Sequence, residues 1–133
     1  MMNDVEFLAA FENCSIPPSE YGHKEHLRTA FLYLRRDGWP DGADQVREGI
    51  KPFAAYNGVS EKYHETITTF WLLLVRHAIA LAPQAGSFDA LVAAHPQLLD
   101  KSLLERHFSR GLLGPPASRV GWSDPDLVPL PAV

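Results

Sequence analysis

Four side chains that could share one metal ion fall in two short stretches of this chain: His23 and His26 in "GHKEHL", and His64 and Glu65 in "YHETIT". Histidines three residues apart on a helix lie on one face, so their imidazoles can turn toward a common ion. A third imidazole and a carboxylate complete a set that zinc, iron, manganese or copper accepts. Such a site has no thiolate and keeps a position for water or substrate, which suits hydrolysis by a metal-bound hydroxide or a metal-assisted oxidation of a small molecule. Glu65 would be the fourth ligand or the general base. Thr68, one turn past His64, would orient a ligand or substrate.

The same residues admit plainer roles. A noncatalytic metal or small-ligand binder would use the same donors without an open position. A metal-free interaction module would hold them in a satisfied hydrogen-bond network, since a histidine near a helix end often simply bonds there. Glu20–His23 and Glu61–His64 both spell Glu-x-x-His, a di-iron signature that also needs a glutamate from each of two further helices. Only Glu12 and Glu48 are on offer, and Gly22 and the prolines before it set Glu20 outside a helix.

The elements that must bring these groups together are helical, because apolar residues recur at helical spacing and no segment shows the alternation of a strand. A first helix over "NDVEFLAAFENC" has Val5, Leu8, Phe11 and Cys14 on one face. A second over "HKEHLRTAFLYLRR" puts His23, His26, Leu27, Ala30, Phe31 and Leu34 on one stripe. The third, 43–56, contains Gly49 and Pro52 and should kink or split there. Ser60 is the expected N-cap of the fourth, which runs to about 82 and is apolar nearly all round. Two short helices are expected near 88–94 and 98–109. The fold class is then all-α: an up-down bundle of four main helices plus two short ones over 1–113, with a proline-rich extended arm, 114–133, packed on the same domain. In an up-down bundle the second and fourth helices start at one end, which is what would gather His23, His26, His64 and Glu65.

In 133 residues with a net charge of -4 there is no basic stripe to follow a phosphate backbone, so nucleic acid is not an expected partner. The acidic start "MMNDVEF" is unlike a secretory signal, the longest clean apolar run, 70–75, is too short to span a bilayer, and one cysteine, Cys14, cannot form an internal disulfide. A cytoplasmic protein with no membrane partner is expected, with Cys14 a small buried hydrophobe. Dimerisation through the first helix or the arm is open. The arm itself could bury Trp122, Leu127, Val128 and Leu130 or act as a lid.

"GHKEHLRTAFLYL", "YHETITTFW" and "WSDPDLVPLP" together resemble a family of short uncharacterised bacterial proteins with a His-x-x-His-Leu segment, here His23, His26 and Leu27, and a Tyr-His-Glu-Thr-Ile-Thr segment, here Tyr63 to Thr68. The resemblance spans most of the chain and implies no particular reaction.

Overall fold

The computed structural model describes residues 2–131, and all the regular structure among them is helical. The chain divides into two compact units, one ending at Tyr63 and the other starting at His64.

The first unit holds α1 (Asp4–Glu12), α2 (His23–Asp37) and α3 (Asp41–Tyr56), with single 3-10 turns at Pro18–Glu20 and Ser60–Lys62. A reciprocal cap starts α1: Asn3 Oδ1 accepts from the Glu6 N–H at 2.8 Å, and Glu6 Oε1 accepts from the Asn3 N–H at 3.0 Å. The buried face of α1 is Phe7 and Phe11, one turn apart. Val5, expected on that face, is 79% exposed. The aromatic partners of the two phenylalanines fix this rotation: Tyr21 stacks on both, with centroids 6.3 and 5.6 Å away, and Phe53 meets Phe11 and Tyr21. Arg28 of α2 closes the exposed side, lying 4.2 Å from the Phe7 ring centre and 2.9 Å from Asp4. Cys14 is half-buried and has a left-handed backbone at the end of α1, where the chain turns away, so it is not the core residue its type suggested.

Helix α3 packs closely against α2 and against α1, and a glycine permits each approach. A Cβ on Gly42 would stand 2.5 Å from the Tyr33 carbonyl oxygen, and one on Gly49 would enter the Phe11 ring. Despite Gly49 and Pro52, α3 runs unbroken from Asp41 to Tyr56, because Val46, Ile50 and Phe53 bury one face across both residues. That burial offsets the one backbone bond the proline removes.

The second unit contains α4 (Glu65–Leu81), α5 (Phe88–Ala94), α6 (Leu103–His107), α7 (Arg110–Leu113) and α8 (Pro116–Val120), with a 3-10 turn at Pro96–Leu99. Ser60 does not cap α4. The cap is His64, and Glu61 lies in the separate turn before it. The helix expected over 98–109 is reduced to α6, and the arm expected from 114 begins with α8. The extended part starts at Gly121, and the last two residues of the expected arm fall outside those described. No helix among the described residues is long and apolar enough to cross a membrane.

Ordinary helix propensity makes Gly→Ala in a helix interior stabilising by about 0.5–1 kcal/mol. Here Gly42→Ala and Gly49→Ala should each lower the unfolding free energy by about 1–3 kcal/mol through overpacking. Urea denaturation monitored by far-ultraviolet circular dichroism checks the sign, and a raised midpoint in either variant contradicts the close approach.

Candidate functional site

His64 is 6% exposed, with the extended backbone of a residue just before a helix (φ -140°, ψ 111°). Its Nδ1 accepts the Ile67 N–H at 3.2 Å, one of the donors that the first turn of α4 would otherwise leave unpaired. A backbone N–H can only donate, so Nδ1 presents its lone pair and the neutral ring carries its proton on Nε2. Nε2 then donates to the Leu113 carbonyl oxygen at 2.8 Å, at the C-terminal end of α7. Both nitrogens are engaged within the second unit. Metal ligation by either one requires that a bond holding α4 or α7 be given up.

The threonines that follow are used in a similar way. Thr66, wholly buried, donates from Oγ1 to the Gly121 carbonyl at 2.9 Å and accepts the Ser123 N–H at 3.1 Å, so one hydroxyl fixes two points on the extended arm. Thr69 Oγ1 donates to Glu65 Oε2 at 3.0 Å, which holds that carboxylate against the first turn of its own helix. Thr68, the threonine expected to orient a substrate, contributes its backbone N–H to the His64 carbonyl, and its side chain joins no hydrogen bond among the described residues.

In the first unit His23 and His26 occupy the first turn of α2. His23 is half-buried and His26 exposed, so the stripe expected to carry both into the core holds only from Leu27 onward. The His26 ring meets the Tyr21 ring edge-on at 4.5 Å. Tyr21 is fixed in turn: Thr29 Oγ1 donates to the Glu25 carbonyl, so the Tyr21 hydroxyl donates to Thr29 at 2.6 Å. Burial pushes the Tyr21 phenol well above its ordinary pKa, and Tyr33 is raised by burial and by its hydrogen bond to Glu12. Both remain neutral donors at physiological pH.

Among the described residues no group of three or more His, Cys, Asp or Glu side chains is placed to hold a metal ion. An open groove of about 580 Å³ lies at the other end of α2, lined by Arg36, Asp37, Asp41, Asp44, Gln45 and Glu48. At 1.5 Å of rise per residue it is about 20 Å along the helix from His23.

Three residues outside the expected site matter to the second unit. His107 is 8% exposed: its ring lies 5.4 Å from that of Phe70, and its Nδ1 donates to the Val128 carbonyl at 2.7 Å. Its own carbonyl accepts the Leu127 N–H at 3.1 Å. Ser109 caps α7 and gives two bonds to Asp126, N–H to Oδ1 at 2.9 Å and hydroxyl to Oδ2 at 2.5 Å. Those two bonds hold the Asp126 carboxyl below its ordinary pKa. The "SRGLL" stretch, a serine opening a helical turn, is the signal in the sequence that could have marked Ser109. His107 has no comparable signal. His95 ends α5, whereas His77 Nδ1 is buried with no hydrogen-bond partner among the described residues.

Comparison with protein-family models, curated proteins and solved structures finds no match.

His64→Ala should lower the stability of the second unit by about 2–4 kcal/mol, from the lost helix cap and the unpaired Leu113 carbonyl. His64→Asn restores a capping side chain and should recover part of that loss in a urea titration; an asparagine variant no better than alanine contradicts the capping role. The Asp126 pair should be present above the ordinary aspartate pKa, about 3.9, and be lost as pH falls through the lowered native value. The Ser109 amide shift in a pH titration reads this directly, and a midpoint at or above the ordinary value contradicts it.

Proposed function

We propose that this chain is a metal-free interaction module of the cytoplasm rather than a metal-dependent enzyme. The observation that carries this reading is the saturation of His64: one nitrogen starts α4, and the other holds the last turn of α7. With Thr66 bonded to the arm and Thr69 to Glu65, four of the polar side chains of "YHETITT", His64, Glu65, Thr66 and Thr69, are engaged by the fold. The large apolar side chains of the arm supply the surface. Trp122 is 39% exposed, Leu127 53% and Val128 51%, and Val120 at the end of α8 is 82% exposed, so the arm's own packing leaves these apolar side chains half open.

A second reading keeps the divalent ion but places it on His23 and His26. Their shared helical turn and the exposure of His26 favour this one. Helix N-termini are poor places for a cation, because the first-turn N–H groups carry partial positive charge.

Metal content separates the two. Protein purified without chelators and analysed by plasma mass spectrometry should carry no stoichiometric zinc, iron, manganese or copper, with His64→Asn the same. Near-stoichiometric metal lost in a His64→Asn variant that is still helical would overturn the interaction reading. Metal kept in that variant but lost in His26→Ala would establish the α2 pair instead.

A further inference from the structure

We propose that residues 121–131 form an exchangeable strap, and that the partner of this module is a second copy of the same chain whose strap fills the same seat. This rests on the interaction reading and names a second copy as its partner, joined through the polar seat beneath the arm rather than through the arm's exposed apolar side chains.

The seat lies wholly within the second unit and has three polar fixtures. Thr66 Oγ1 holds the Gly121 carbonyl and the Ser123 N–H, His107 holds Val128 through its ring and Leu127 through its carbonyl, and Ser109 holds the Asp126 carboxylate. Trp122 closes the gap between the first two, its ring edge-on to the buried Phe108 at 6.0 Å, while its indole N–H donates to Asp124 within the strap. Each fixture grips main chain or a short acidic side chain. The strap's large apolar groups are only partly covered, with Trp122 39% exposed, Leu127 53% and Val128 51%.

An empty seat is therefore unfavourable, and a refilled one restores every bond. When the strap lifts, the buried Thr66 hydroxyl and His107 ring lose their partners, a penalty that only an equivalent segment removes. The segment shown to match is the strap itself, with its carbonyls at Gly121 and Val128 and its carboxylate at Asp126. A second copy presents that segment at no change in bonding, the condition under which exchange of an identical element forms dimers. Geometry permits it: Gly121 is extended (φ -151°, ψ 166°), and residues 121–131 fully extended reach about 36 Å. The preceding α8 stays anchored, because buried Ser118 donates to the carbonyls of Leu112 and Pro115. The hinge therefore lies at Gly121.

The test uses the full chain with Cys14→Ser and places one cysteine on each side of the Ser109–Asp126 contact. Chains carrying only Ser109→Cys, labelled with nitrogen-15, are mixed with unlabelled chains carrying only Asp126→Cys and mildly oxidised. Exchange predicts a disulfide-linked dimer joining 109 of one chain to 126 of the other, in a yield that rises with concentration. The chain with both cysteines should close on itself when dilute. Closure within that chain with no mixed 109–126 dimer at any concentration overturns the proposal. Sedimentation velocity of the unsubstituted chain tests the same point independently: a dimer fraction that grows with concentration supports exchange, and a monomer throughout overturns it. These failures leave the interaction reading standing, whereas a metal that departs with His64 would remove that reading itself.

Discussion

An imidazole has two nitrogens, and at His64 each has a structural task. The helix α4 begins where Nδ1 receives the Ile67 N–H, and that bond settles where the ring proton sits. The proton on Nε2 then reaches the Leu113 carbonyl, tying together segments far apart in sequence. Much of the second unit follows from this one ring. Fixing the start of α4 fixes Thr66 in its first turn, and Thr66 receives the arm. Fixing the end of α7 sets the stretch that leads into α8, whose Ser118 bonds back to Leu112. An asparagine could cap the helix, but it could not also reach across to α7 with the same geometry, which is a physical reason for a histidine in this place.

The arm shows how a segment whose large side chains are only half covered is also fixed through its main chain. Its side chains are half open to solvent, yet its main chain meets the buried Thr66 hydroxyl and His107 ring at both ends. In a small unit the cost of an unsatisfied buried polar group is a large share of total stability. The arm is therefore held both by the partners that the buried Thr66 and His107 would lose without it and by the part of its own apolar side chains that is covered. Such an arrangement favours replacement of one strap by another over simple release.

Much of this structure is legible in the sequence, and the parts that are not have identifiable causes. The all-helical class, the extent of α2 and the limits of α5 follow from apolar spacing and from Ser87 and Pro96 at the ends of the latter. The rotation of α1 does not follow, because Val5 and Phe7 are equally good apolar residues on a helical wheel and the choice is made by Tyr21 and Phe53, far along the chain. The unbroken α3 is hidden for the same reason: a proline's local cost is visible in sequence, and the packing that offsets it is not. At the candidate site, the spacing places His64 at a helix start, but a capping histidine and a ligating histidine look identical until both nitrogens have named partners. His107 gives no sign of its role because its burial depends on Phe70 and on an arm whose path no periodicity reveals.

Everything in the second unit that depends on His64 requires its proton on Nε2 and its Nδ1 lone pair on the helix. Long-range proton–nitrogen correlation of the imidazole rings, with nitrogen-15 in the histidines, reads that assignment in solution. The expected spectrum shows for His64 an unprotonated Nδ1 coupled to no bound hydrogen and a protonated Nε2 whose hydrogen is shielded from exchange. A proton on Nδ1, with Nε2 bare or shifted on adding zinc, would contradict it and return His64 to the role of a metal ligand.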